Sequence, residues 1–508
     1  MDQPVLLVNE NTVIEHTAYG DLFTEPLFGN AAQLTLLCVH FRAETDRHNT
    51  PVSEQVLYGL GKRSVSGRGQ VFSLSFPSQN IARVYIILTP DYVLPTLTVQ
   101  NGMVEIDAQG YPIICGTCRT DGVQKFCRDW YRTRYRPERI VAMSNTWGDR
   151  GGREVVSEEF VLKEIDVGAE IGVDVVQVDD GWQKGVPNTY DEAGLRVFEG
   201  DFWSLKPNTF PHGIDYLPHY AASRGIQMGL WFAPHSRNRF EHLERDIGIL
   251  SRACNEWGYR YFKLDMLQLK DRAQCERMQE LLSRMEHFEA HAEVELDVTA
   301  DCRLGYFAAA SYGTLFVENR YTAWGNYYPH TTLRNLWKLA AYVPSSKFQF
   351  ELVNPTLYTE QYEKDDPLRP ALYDIDYLFA SVMVSNPLFW MEMQRLPIHC
   401  RQRLKSIVSH WKCWREELTR ADVRPIGEEP SGCSMTGFLA KGEKSVHVIL
   451  LREVTNRDTY TFVTNENLQN AEVICSNTNV QVTIDQSSVT VRFEKPRAYV
   501  WLRAGFSS

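Results

Sequence analysis

The sequence predicts an α/β fold in which a (β/α)8 barrel is flanked by an N-terminal β-sandwich and a smaller C-terminal β-sandwich. Three observations predict it: short alternating apolar runs at both ends of the chain, strands alternating with amphipathic helices between them, and polar residues gathered where those strands end. With 508 residues and 44% apolar content, the chain can bury a large core divided over several domains.

Up to about residue 118 the apolar runs at 34–41, 72–76, 83–88 and 104–106 are separated by Gly, Pro and Asn, the pattern of an antiparallel sandwich. Asp121 is expected to cap a helix carrying Val123, Phe126 and Trp130, so the N-terminal domain with its connector is assigned to 1–138. The period then changes. Strands are expected at 140–144, 173–178, 227–232, 261–266, 294–298, 314–317, 348–352 and 388–391. Helices fall between them: one capped by Ser157 and stopped by Gly172, then 216–224, 240–257, a run through Met278 and Phe288, a helical segment near Tyr306, one stopped by Pro344, 373–383, and a last one to about Trp414. Eight such units in the segment 139–414 match the size of a barrel. An open doubly wound sheet competes, but no G-x-G-x-x-G turn follows a strand, and polar residues cluster at many strand ends rather than at one switch point. In 415–508 the strand alternation returns at 446–451, 459–463, 489–493 and 499–502.

A net charge of -11 with no basic stripe argues against a nucleic-acid partner, and no run of membrane-spanning length or secretory leader is seen. A cytoplasmic protein is expected. The 11 cysteines are an odd number, scattered in a large chain, which suits free thiols; the C-x-x-C of Cys115 and Cys118 lacks a second pair and reads as packing. No cofactor and no metal is expected. Aromatics near Trp324, Tyr327 and Tyr328, taken as exposed, suit either a sugar subsite or a subunit contact in a homo-oligomer.

The chemistry centres on the run 261–266. In a strand Lys263 and Asp265 share one face while Phe262 and Leu264 pack behind. A neighbouring cation favours the ionised carboxylate, and an ionised Asp at a strand end suits a nucleophile; a structural ion pair fits the same pattern. Barrel chemistry sits at the C-terminal strand ends, which here carry Asn145 and Trp147; Asp179, Asp180 and Trp182; Trp231 and His235; Lys263 and Asp265; Asp297, Thr299 and Asp301; and Glu318, Asn319 and Arg320. Carboxylates accept bonds from sugar hydroxyls, and indoles stack on pyranose faces, although any one Trp alone fits core packing. A metal-dependent hydrolase using Asp179, His235, Asp265 and Asp301 is the competing class, disfavoured because His235 stands alone in the group.

The order N-x-W at 145–147, V-D-D-G-W at 178–182, G-L-W-F at 229–232 and F-K-L-D at 262–265, followed by Glu318, resembles the clan D glycoside hydrolases of families 27, 31 and 36, and family 36 α-galactosidases most closely. The resemblance implies that Asp265 is the nucleophile, that Lys263 bonds sugar hydroxyls, that Asp179 and Asp180 grip the hydroxyls at carbons 4 and 6, and that Trp147 and Trp231 are stacking or wall residues. It implies an oligosaccharide or glycoside substrate and retaining hydrolysis of terminal α-galactosides, with the two carboxyls about 5–5.5 Å apart. Two departures stand out. Phe316-Val317-Glu318-Asn319 replaces the family's W-x-S-D-N, which puts a Glu in the acid/base position, with Asp297 and Asp301 as fallback acids. Residues 298–303 replace a C-x-G-G-G loop followed by Arg, with Arg303 as the candidate replacement for that Arg in binding substrate. The alternatives are a related glycosidase acting on an α-N-acetylgalactosaminide, β-arabinopyranoside or α-glucoside, or a sugar-binding protein that has lost catalysis.

Overall fold

The computed structural model describes residues 6–9, 12–18, 20–42, 52–192, 194, 196–299, 303–464, 467–485 and 487–506. Two compact units emerge: Met1–Arg136 with Val298–Tyr312 and Ala341–Pro344, and Pro137–Asp297 with Gly313–Ala340 and Ser345–Ser508.

In the first unit, alternating burial along strands such as Thr96–Gln100 and Met103–Asp107 turns every second side chain inward. A seven-stranded and a four-stranded antiparallel sheet thereby share one core, Leu36, Phe72, Leu74 and Tyr85 meeting Val65, Leu97, Val99 and Val104. The connector helix Val123–Arg134 starts after Gly122 without a side-chain cap, because Asp121 pairs instead with Arg119 at 3.2 Å. The segment 298–312 belongs to this unit. Arg303 donates its backbone N–H to Asp91 Oδ1 at 3.1 Å, and Tyr131 donates its hydroxyl to the Tyr306 carbonyl at 2.7 Å. Residues around Tyr306 form turns rather than the expected helical segment. Gly305 is fixed by this arrangement: its φ is +79° and a Cβ there would lie 2.7 Å from the Asp91 nitrogen.

In the second unit eight parallel strands close into a TIM barrel: β1 (Met143–Asn145), β2 (Val175–Val178), β3 (Gln227–Phe232), β4 (Tyr261–Leu264), β5 (Glu293–Asp297), β6 (Thr314–Phe316), β7 (Phe348–Leu352) and β8 (Asn386–Phe389). Strands buried on both faces explain the near-continuous Val, Leu and Phe runs. β1 pairs with both β2 and β8. It begins later than the sequence suggests because the backbone N–H groups of Ile140 and Val141 donate to the Thr419 hydroxyl and the Asn386 amide oxygen, each at 2.9 Å, and not to a strand. The same Asn386 amide donates to the carbonyls of Ser346 and Phe348, so one side chain ties the seam where the ring closes.

Ser157 caps the helix Glu158–Ile171, its hydroxyl accepting from the Phe160 N–H, and Gly172 ends it in the left-handed region, as the residue types predict. The helix expected at 240–257 is shorter, Leu243–Asn255, and is preceded by a tight turn in which Asn238, Arg239 and Phe240 all have positive φ. The final barrel helix, Ile398–Arg420, runs beyond Trp414, so the C-terminal sheets begin at Asp422. There a five-stranded and a three-stranded sheet enclose Leu450, Val500 and Leu502 against Phe462, Val489 and Val491. Among the described residues no helix is long and apolar enough to cross a membrane, and the ten described cysteines are free.

Candidate active site at the barrel strand ends

Lys263 anchors the floor of the site. Its Nζ lies 3.1 Å from Asp179 Oδ2 and 3.9 Å from Asp297 Oδ2, above the rings of Phe316 and Trp390 at 4.9 and 5.1 Å. Burial opposes the ammonium, but the charges of Asp179, Asp265 and Asp297 outweigh it and hold the lysine above its ordinary range. Asp179 Oδ2 also accepts from Asn145 Nδ2 at 2.8 Å, and its backbone N–H donates to the Thr146 hydroxyl at 2.9 Å. The network continues downward: Asn145 Nδ2 reaches Gln177 Oε1 at 2.6 Å, and Gln177 Nε2 reaches Glu295 Oε2 at 2.8 Å. Burial pushes Glu295 up to about 7.

Asp265 stands one residue beyond β4. Its backbone N–H donates to the Phe232 carbonyl at 3.1 Å, which keeps it aligned with β3 while its half-buried side chain emerges from the strand end. Oδ2 accepts from Trp231 Nε1 at 3.1 Å, and Oδ1 accepts from the Met266 N–H. Trp231 is fully buried, so it presents an N–H to Asp265 rather than a ring face to a ligand. Trp182 is packing: its Nε1 donates to the Trp231 carbonyl at 2.9 Å, and its ring stacks on Trp203 at 5.7 Å. Trp147 is half-buried, its N–H held by Asn145 Oδ1 at 2.8 Å.

Asp180 follows Asp179, donating its N–H to Asp179 Oδ1 at 2.8 Å. Its own Oδ1 accepts from Gln183 Nε2 and lies 3.6 Å from Arg153 Nη1. Burial raises its pKa to about 6; the charges of Asp179 and Asp265 add to that, against Gln183 and Arg153. A second acid pair lies across β6 and β7. Glu318, 1% exposed, accepts through Oε1 from Asn335 Nδ2 at 3.0 Å and Arg320 Nε at 3.2 Å, while its buried Oε2 has no hydrogen-bond partner. The β6/β7 register, Phe316 opposite Gln349, carried two residues further sets Glu318 beside Glu351. Glu351 Oε1 accepts the Arg320 N–H at 2.7 Å, and its Oε2 is likewise buried and unpartnered. Burial, then the Glu318 charge, raises Glu351 well above the carboxylate range against the pull of Arg320.

The remaining expected site residues divide. Arg303 is buried in the first compact unit. Asp301 lies outside the described residues. Tyr327, expected at the surface, is fully buried with its hydroxyl unpartnered, whereas Trp324 is 47% exposed. His235 does not join Asp179 and Asp265; among the described residues it converges with Glu241 and His242. Sequence reasoning missed Glu295 and Glu351. An acid inside an otherwise apolar strand, as in Phe-Gln-Phe-Glu-Leu at 348–352, was the available signal.

Residues 121–247 match the family model described as Melibiase. No curated protein matches the sequence. Among solved structures, the α-galactosidase from Lactobacillus brevis aligns with a TM-score of 0.70 at 12% identity, covering 98% of this chain and 78% of that one. The family 36 α-galactosidase AgaA from Geobacillus stearothermophilus gives 0.68 at 11% identity, covering 97% and 78%. The α-galactosidase TtGalA from Thermus thermophilus gives 0.51 at 15% identity, covering 80% and 99%. The structural likenesses establish the barrel with its flanking sandwiches. Together with the family match they define the class, that of the glycoside hydrolases. They also bear out the resemblance to clan D, family 36 included, that the strand-end motifs carry.

Proposed function

We propose that the chain is a retaining, exo-acting hydrolase of terminal α-galactosides, with Asp265 as nucleophile and Glu318 as acid/base. The observation that carries this reading is the contrast at β4: Lys263 is buried among carboxylates, while Asp265 emerges half-buried with hydrogen bonds on both oxygens. Asp265 Oδ attacks the anomeric carbon as Glu318 gives its proton to the departing glycosidic oxygen. Water then adds to that carbon, giving a proton to Glu318 and releasing Asp265 as carboxylate. The unpartnered Oε2 of Glu318 is the atom available for that proton. Asp179 and Asp180, side by side at the end of β2, supply acceptors for sugar hydroxyls, and the half-buried Trp147 supplies a ring. The bound stachyose in the Thermus structure supports an oligosaccharide substrate. Free thiols at Cys413 and Cys433 on the surface support a reducing, cytoplasmic setting.

One observation favours a second reading. Glu318 is almost wholly enclosed, as a structural acid would be, and that fits a galactoside-binding protein without turnover. Incubation with a 2-fluorinated galactosyl donor bearing a good leaving group, followed by peptide mass spectrometry, separates the two. Hydrolysis is expected to leave the label on Asp265; galactoside binding without any labelled peptide would favour the binder, and a label on another acid would remove the nucleophile assignment. A panel of nitrophenyl glycosides is expected to rank the α-galactoside above the α-N-acetylgalactosaminide, β-arabinopyranoside and α-glucoside.

A further inference from the structure

His235, three residues beyond β3 and 1% exposed, has no hydrogen-bond partner on either ring nitrogen. An imidazole carries one N–H donor and one acceptor when neutral; the Arg196 backbone can serve only the donor, which leaves a buried ring nitrogen with nothing to meet. What surrounds it is specific. The turn of Asn238, Arg239 and Phe240, three consecutive non-glycine residues at φ 46°, 57° and 61°, folds the chain back so that Glu241 and His242 return to the side of His235. Such strain persists only where the surroundings enforce it, and it gathers at functional sites. The His242 ring lies parallel to that of His235, with centroids 4.9 Å apart and planes 10° off. Ligand atoms of His235, Glu241 and His242 all fall within 4.8 Å of one another.

We propose that His235, Glu241 and His242 form a binding site for a divalent first-row transition ion of the Zn2+ kind, separate from the carboxylates of the reaction. Two imidazoles and one carboxylate are a donor set that zinc takes with a fourth position left to water. The charges nearby are arranged for it. Arg237 is engaged by Asp191 at 3.2 Å and Glu199 at 3.8 Å, and Arg245 by Asp246 at 3.0 Å, so the guanidinium groups have other anions. The Glu241 carboxylate accepts from Asn238 Nδ2 on Oε2 at 2.9 Å, and its Oε1 lies 4.0 Å from both Arg237 Nε and His242 Nε2. The His235 ring itself is enclosed by protein. The Arg196 backbone carbonyl near that ring is the acceptor that would fix its tautomer, as outer partners of metal-bound histidines do. At zinc bond lengths the donors of a tetrahedral site stand about 3.4 Å apart. Glu241 and His242, at 34% and 38% side-chain exposure, have room to close that gap of at most about 1.4 Å.

An ion here would brace the loop after Asp265. Ser236 accepts the Gln268 N–H on its hydroxyl at 3.1 Å and the Gln274 side-chain amide on its carbonyl at 2.8 Å. The test uses the full chain, stripped with chelator, dialysed against Zn2+ and analysed for bound metal, with Co2+ absorption as a second readout of tetrahedral coordination. One zinc per chain is expected. His242→Ala and Glu241→Gln, both at accessible positions, are each expected to weaken it more than about tenfold without changing the melting temperature of the metal-free protein. No zinc bound at micromolar concentration, or zinc held equally well by both variants, overturns the proposal. Because 13 histidines are present in the chain, those variants also separate this site from incidental surface binding.

Discussion

The carboxylates at the ends of β2 and β4 and those at the ends of β6 and β7 belong to one barrel but sit in different electrical surroundings. Asp179 and Asp297 share the Lys263 ammonium, and Asp265 takes donors from Trp231 and Met266. Glu318 and Glu351 share Arg320, and each keeps a buried oxygen that nothing meets. One side sets its carboxylates against a cation and N–H donors, and the other brings two acids to a single arginine. The double displacement proposed above draws its nucleophile from the first side and its acid from the second.

Four changes would break or sharpen the contrast. Asp265→Asn is expected to cut kcat on a nitrophenyl α-galactoside more than about a thousandfold while leaving the fold intact; retained turnover would end the nucleophile assignment. Glu318→Ala is expected to lose about 10²- to 10⁴-fold on substrates with poor leaving groups and far less on activated ones; an equal loss on both would show that Glu318 does not protonate the leaving group. Lys263→Met leaves Asp179 and Asp297 facing each other without their cation, and urea unfolding is expected to show a loss of about 3–5 kcal/mol.

The smallest effect is at Glu295, whose folded pKa of about 7 lies above the ordinary value near 4.3. Between those two pH values the folded state holds a proton that the unfolded chain has released, so stability falls as pH rises through the window. Glu295→Gln removes this dependence. It is expected to gain about 2–4 kcal/mol over the wild type at pH 8 relative to pH 4, measured by melting at both.

Local signals carried much of the fold. Ser157 and Gly172 bracket their helix as their chemistry dictates, and the sandwich strands alternate as written. The placement of Asp265 at a strand end was equally legible, since a two-residue period needs no knowledge of the rest of the chain. What could not be read depends on partners far away in sequence. Trp231 and Trp182 look like ligand-facing indoles until the insertion bearing Trp203 is folded over them. Glu351 has meaning only once β6 and β7 are in register, and Tyr327, apparently a surface aromatic, lies buried beside the same pair. The turn at Asn238 gives no sequence warning, because three non-glycine residues in the left-handed region run against local preference.

The seam held by Asn386 bears on how the protein is made. Val141 has to wait for an acceptor 245 residues downstream, so the cylinder stays open while nearly half the polypeptide leaves the ribosome. During that interval β1 offers one bare edge to any neighbouring strand, and shortening the chain ahead of residue 386 would make that exposure permanent.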